Sequence, residues 1–154
     1  HIDSVIRSAI KSLEPMAEAR KIRVEFNIHG KLLPVNGDER RLTEGIQQLL
    51  HNALKFNKLK SEVTITCEME SNEVKIQVID HGVGIPPNRM DEIWSGMHRL
   101  FDDKGSGTRR LTRVGLPLAR FIVQSHGGRL EARSTYGMGS TFTIYLPALL
   151  TQEE

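Results

Sequence analysis

Glycines gather in three places along this sequence: in Asp80-His81-Gly82-Val83-Gly84-Ile85, at Gly115, and in Gly137-Met138-Gly139-Ser140. Each falls at the end of a strand or helix pattern, where a missing side chain lets backbone N–H groups approach a ligand and a helix N-terminus favours an anion. That chemistry suits a phosphate or a nucleotide, although each cluster taken alone also reads as a turn. Asp80 stands two steps beyond Val74, Ile76 and Val78 in an alternating run, so the alternation carries a carboxylate onto the apolar face, where it needs a partner. The other reading is that the strand has ended and Asp80 opens the turn before Gly82. Glu44, Gln48, Asn52 and Lys55 fall at i, i+4, i+8 and i+11 and share one line of a helix surface. A solvated face fits the same spacing.

The elements that must position these residues follow from periodicity. Ile2, Val5, Ile6, Ala9, Ile10 and Leu13 recur at helical spacing behind Asp3 or Ser4 as N-cap, with Pro15 breaking or kinking the pattern. Ile22 to Ile28 alternates as a half-buried strand ending at Gly30, and a short extended piece is expected around Pro34 to Asn36. Asp38 caps the strongest helix, whose stripe of Leu42, Ile46, Leu49, Leu50 and Ala53 is wide enough to face a core. Val63 to Met69 and Val74 to Val78 alternate around Ser71-Asn72 as a β-hairpin. Pro86 and Pro87 start a short helix through Met90, Ile93 and Trp94. From Arg99 to Arg113 periodicity is lost and basic residues dominate, which reads as a mobile basic loop. Helical spacing resumes from Gly115 to Ser125, Pro117 being tolerated in the first turn, and Gly127-Gly128 ends it. Strands at Leu130 to Ser134 and Thr141 to Leu146 complete the chain.

The 154 residues, 38% hydrophobic and 26% charged, suffice for one compact domain with a core. A formal charge of +2 and 5% aromatics argue against nucleic-acid binding. One cysteine, Cys67, excludes an intrachain disulfide and a thiolate zinc site, and its place on an apolar strand face makes it a small core residue. The six histidines show no metal-ligand spacing. No apolar run approaches the roughly 20 residues that span a bilayer, and no signal peptide is visible. The expectation is a soluble, cytoplasmic piece without direct membrane contact. The chain opens without Met and with immediate helical periodicity, which suggests a piece of a longer protein.

In combination the motifs are specific. Leu49-Leu50-His51-Asn52-Ala53-Leu54-Lys55-Phe56, Asp80-His81-Gly82-Val83-Gly84-Ile85 and Gly137-Met138-Gly139-Ser140-Thr141-Phe142 resemble the N box, the first glycine box and the last glycine box of the ATP-binding catalytic domain of sensor histidine kinases, within the superfamily that includes gyrase, Hsp90 and MutL. Gly37-Asp38-Glu39-Arg40-Arg41-Leu42 and Ser125-His126-Gly127-Gly128 also match. The resemblance implies a two-layer α/β sandwich: a mixed, largely antiparallel sheet, three main helices on one face and an ATP lid over about 95–114, all in a single domain with its core over about 3–147. It implies ATP and Mg²⁺ as cofactors. Asp80 would accept a hydrogen bond from the adenine amine, Asn52 would offer its amide oxygen to Mg²⁺, and Lys55 would neutralise phosphate charge. Gly82, Gly84 and Ile85 would keep the loop close to the nucleotide, Gly115 and Leu116 would begin the helix under the phosphates, and Thr141 would sit near the base. Phosphoryl transfer would go to a histidine on a separate dimerisation domain of a homodimeric parent. None of the six histidines begins the family's phosphoaccepting pattern, and the phosphohistidine would serve a response regulator.

The sequence departs from the family pattern at three points. Gln48 stands where the kinases carry Asn and the ATPase relatives Glu; an amide cannot act as a general base but can orient water or help bind the metal. Trp94 and Met97 occupy the two Phe positions of the F box. Leu111 and Arg113 replace two glycines of the box that ends in Gly115-Leu116. Arg113 would put a guanidinium on the phosphates in place of backbone contacts, or Leu111 and Arg113 would block the lid conformation, which is the basis of the alternative reading as a degenerate, weakly binding interaction module.

Overall fold

The computed structural model of the chain describes residues 1–95 and 115–150. Its sheet has five strands in the order β1-β2-β3-β5-β4, with β1 (Arg23–His29), β2 (Glu62–Glu70), β3 (Glu73–Ile79), β4 (Arg129–Thr135) and β5 (Gly139–Pro147). β1 and β2 are parallel and every other neighbouring pair is antiparallel. A parallel pair needs a long crossover, and α3 (Glu39–Lys55) supplies it. The mixed sheet, the helices and their order agree with the two-layer α/β expectation. The lid expected over about 95–114, with Met97, Leu111 and Arg113, lies outside the described residues beyond Ser95.

Strand alternation divides the sheet. Val63, Ile65 and Cys67 of β2, Val74, Ile76 and Val78 of β3, and Phe142, Ile144 and Leu146 of β5 are buried beneath the helices. Burial pushes the Cys67 thiol up to about 12, so it is an inert core group. The opposite face is polar: Gln77 bridges Thr66 and Thr143, and Arg129 pairs with Glu73 and lies 3.9 Å from the Tyr145 ring centroid. One wet face and one packed face make two layers.

Three helices cover the packed face: α1 (Ile2–Ser12), α3 and α4 (Gly115–Ser125), with the short α2 (Glu14–Arg20) after α1. Pro15 sits in the first turn of α2, so the proline separates two helices and starts the second, where its missing N–H costs nothing. Neither Asp3 nor Ser4 caps α1. Both lie inside its first turn behind His1, and the Ser4 hydroxyl donates to the His1 carbonyl at 2.9 Å. The cap of α3 is as expected: Asp38 Oδ1 accepts from the amides of Arg40 and Arg41 at 3.0 and 3.3 Å. Leu49 and Leu50 of α3 are fully buried, each contributing about 1.5–3 kcal/mol of transfer free energy. α3 packs against both α1 and α4 and touches β3.

Candidate functional site

α3 carries Gln48, Asn52 and Lys55 in its last two turns and ends at Phe56. Asn52 is only 6% exposed, and its Nδ2 is buried without a hydrogen-bond partner. Lys55 is half-buried, its ammonium 5.5 Å from the Phe56 ring centroid. His51, beside them, is held below the ordinary imidazole range by partial burial and, second, by the Lys55 ammonium. Glu44, the first member of the stripe, is exposed. The stripe therefore runs from solvent into a buried amide, which a solvated face does not.

The turn after β3 lies directly against the end of this helix. The Val83 amide donates to the Phe56 carbonyl at 3.1 Å, and the His81 amide donates to Asn57 Oδ1 at 3.2 Å. Gly82 is required there because a Cβ would overlap the Phe56 carbonyl oxygen. Asp80 is buried, and its Oδ1 accepts from the Gly82 amide at 2.9 Å and the Ser140 amide at 3.2 Å. Both readings of Asp80 thus hold in part. β3 ends at Ile79 and the carboxylate does shape the turn, yet it is buried on the helix side of the sheet end, paired by backbone donors. Gly139 closes the other side, where a Cβ would overlap the Asp80 carbonyl oxygen, and the Gly137 amide donates to the Val83 carbonyl at 2.7 Å. Two glycine turns therefore grip one carboxylate.

The remaining expected residues have separate placements. Gly84 lies against the Thr135 carbonyl, and Ile85 is a core residue whose amide donates to Ser134 Oγ at 2.7 Å. Gly115 begins α4 against the end of the Gln48 side chain, which would have to move for a Cβ, and Leu116 is fully buried in the core. Trp94 packs edge-on against Phe142 at 6.5 Å and under Arg120 at 4.8 Å, which keeps aromatic packing at this F-box position. Thr141, expected near the base, pairs in register with Ile79 and Arg133 and alternates with the open-face residues Thr143 and Tyr145. Ser140, in the parity of Phe142, is the buried residue whose amide donates to Asp80 and whose hydroxyl meets Ser134. The sequence reading missed Ser140, Ser134 and Asn57. Counting back two from Phe142 would have found Ser140.

Among the described residues no group of three His, Cys, Asp or Glu side chains could hold a metal ion. The donor set fits only a cation that takes one amide oxygen from the protein and the rest from phosphate and water, which is how Mg²⁺ commonly binds with nucleotides. Asn52 brings an amide oxygen to this place on a side chain that is buried, and it is its amide nitrogen that has no hydrogen-bond partner.

Residues 37–150 match the family model described as "Histidine kinase-, DNA gyrase B-, and HSP90-like ATPase". Among curated relatives, the sensor histidine kinase ZraS of Escherichia coli (strain K12) is 29% identical over 153 residues, 99% of this chain and 31% of that protein. The adaptive-response sensory-kinase SasA of Prochlorococcus marinus is 33% identical over 147 residues, 95% of this chain and 39% of that protein. The chain thus spans between three and four tenths of the length of these relatives. Full-length ShkA, solved in complex with AMPPNP, superposes with a TM-score of 0.82 at 21% identity, covering 99% of this chain and 31% of that one. The catalytic domain of histidine kinase ThkA gives 0.78 at 22% identity, with 95% of this chain and 91% of that one covered.

Proposed function

The chain belongs to the histidine kinase-, DNA gyrase B- and HSP90-like ATPase family, and from that premise we propose that it is the ATP-binding catalytic domain of a two-component sensor histidine kinase. The observation that carries this reading is the buried Asp80 carboxylate, fixed by the Gly82 and Ser140 amides at the foot of a helix that presents Asn52 and Lys55. A buried acceptor held in one direction by backbone donors recognises an amino group, as the exocyclic amine of adenine offers. Ser140 joins it on the base side by its buried position, whereas Thr141 has the parity of the open face of β5 and is replaced by Ser140 in this role. Gly82, Gly84 and Ile85 hold the turn, and Gly115 and Leu116 start α4 beneath the phosphates.

Asn52 would hold Mg²⁺ through its amide oxygen. When bound, the ion would neutralise charge that develops on the phosphates. Lys55 adds a positive charge one turn on, and Gln48 orients the phosphate end beside Gly115; Arg113 lies outside the described residues. The transfer moves the γ-phosphoryl group from ATP to an imidazole nitrogen of a histidine on the dimerisation domain of the same homodimeric protein, leaving ADP. A response-regulator aspartate then takes the phosphoryl group. The domain over 1–154 binds nucleotide and by itself has no acceptor histidine to phosphorylate. Among the described residues no helix is long and apolar enough to cross a membrane.

Calorimetry with Mg·ATP tests the reading. Asp80→Asn keeps an oxygen for the Gly82 and Ser140 amides but turns an NH₂ toward the base amine, so affinity should fall by about 100-fold or more, two lost or opposed hydrogen bonds' worth. Equal heats for the wild type and this variant would overturn it.

A further inference from the structure

The hydroxyl of Ser134 on β4 touches three separate parts of the pocket wall. It lies 2.7 Å from the Ile85 amide, 3.0 Å from the Gly139 carbonyl oxygen and 2.9 Å from Ser140 Oγ. Ser134 and Ser140 face each other in the β4–β5 register. A serine hydroxyl has one proton to donate and two lone pairs to accept with. The Ile85 N–H can only donate and the Gly139 carbonyl can only accept, so Ser134 accepts the first and spends its proton on the second. The remaining contact then has one solution: Ser140 donates its proton to Ser134. In the opposite arrangement the Ser134 and Gly139 oxygens would stand 3.0 Å apart with no proton between them, which is repulsive.

This proton order reaches the pocket. With its hydrogen committed to Ser134, Ser140 Oγ can act only as an acceptor. Asp80 stands opposite Ser140 across the strand ends, its amide donating to the Ser140 carbonyl and its Oδ1 accepting from the Ser140 amide, and its carboxylate is an acceptor as well. A wall of acceptors suits a base edge that presents an amine and opposes one that presents a carbonyl oxygen. Ser134 also pins the turn after Asp80 to the glycine turn before β5, so the two loops that grip the carboxylate share one hydroxyl.

We propose that Ser134 is a positioning residue for base selection: by taking the proton of Ser140 it keeps the Asp80 side of the pocket free of hydroxyl donors and so selects a 6-amino purine over a 6-oxo purine. The inference rests on the ATP reading above. Removing the Ser134 hydroxyl frees the Ser140 proton, which can then be turned toward a 6-oxo base.

The test measures binding of Mg·ATP and Mg·ITP, which differ in the 6-amino and 6-oxo groups, to the full chain by calorimetry. Ser134→Ala should narrow the ATP-to-ITP affinity ratio by about fivefold to tenfold, the share of one neutral hydrogen bond, and Ser134→Thr, which keeps the hydroxyl, should restore it. A residue that only supports the fold would lower both affinities together, so an unchanged ratio in Ser134→Ala overturns the proposal. Amide NMR spectra establish folding. If the alanine variant does not fold, Ser134→Cys, close in size and a poor hydrogen-bonding group, is read by the same ratio. A wild-type chain that binds neither nucleotide overturns the ATP reading itself, a result distinct from a preference that Ser134 does not control.

Discussion

Gly82 packs its Cα against the carbonyl oxygen of Phe56, the residue at which α3 ends, so the Asp80 turn and the helix bearing Asn52 meet with no space for a methyl group. The glycine holds the loop to the helix. Gly82→Ala should therefore strain a backbone-to-backbone contact that no side-chain rotation can relieve. Overpacking of this kind costs about 1–3 kcal/mol, a fall in Tm of roughly 3–10 °C for a domain of this size, and nucleotide affinity should fall with it because the distance from Asp80 to Asn52 changes. Gly30, at positive φ but with open space around it, provides the contrast: Gly30→Asn, which tolerates that conformation, should shift Tm little. Equal Tm values for wild type and Gly82→Ala in thermal unfolding would refute the clamp.

Asn52 puts function and stability in opposition. Its Nδ2 is buried with no hydrogen-bond partner, and an unmet polar group of this kind costs about 1–3 kcal/mol. Asn52→Leu, close in volume, removes that cost, so the nucleotide-free variant should unfold at the same temperature as the wild type or higher. Mg·ATP should then no longer raise its Tm, because the amide oxygen that would hold the ion is gone. Thermal unfolding with and without Mg·ATP reads both halves. A large loss of stability in the nucleotide-free variant would mean that the amide serves the fold rather than the ligand.

What the sequence disclosed and what it withheld divide by the range of the interactions. Asp38 as a helix cap and the apolar stripe of α3 depend on residues within a turn or two, and spacing exposes them. The inward placement of Asp80 follows from a period of two carried one step past β3. The cap of α1 is not legible in the same way, because Asp3, Ser4 and His1 compete within one turn and the start of the helix backbone decides among them. The reason for Gly82 lies in a carbonyl 26 positions earlier, and Ser134 acts on Ile85 across 49 positions, distances over which no local pattern carries information. Ser140 and Thr141 are neighbours, and choosing between them requires the strand parity that begins at Gly139, where φ is +132° and the chain leaves its turn.

His51 reports on the charge at the end of α3. Its imidazole lies below the ordinary value of about 6.5, first because it is partly buried and second because the Lys55 ammonium disfavours a neighbouring cation. A base whose folded value is depressed binds fewer protons folded than unfolded. Its contribution to stability is therefore intact above about pH 6.5 and is lost as the pH falls through the folded value. Lys55→Met removes the repulsion and leaves the burial, so the His51 titration followed by NMR should move up part of the way toward the unfolded value. A bound polyphosphate beside Lys55 acts in the same direction, so nucleotide binding should take up protons just below pH 6.5, visible as heats that depend on the ionisation enthalpy of the buffer. A His51 titration that stays in place in Lys55→Met would show that the ammonium does not act on this face of α3, and with it would go the argument that Lys55 stands ready to meet phosphate there.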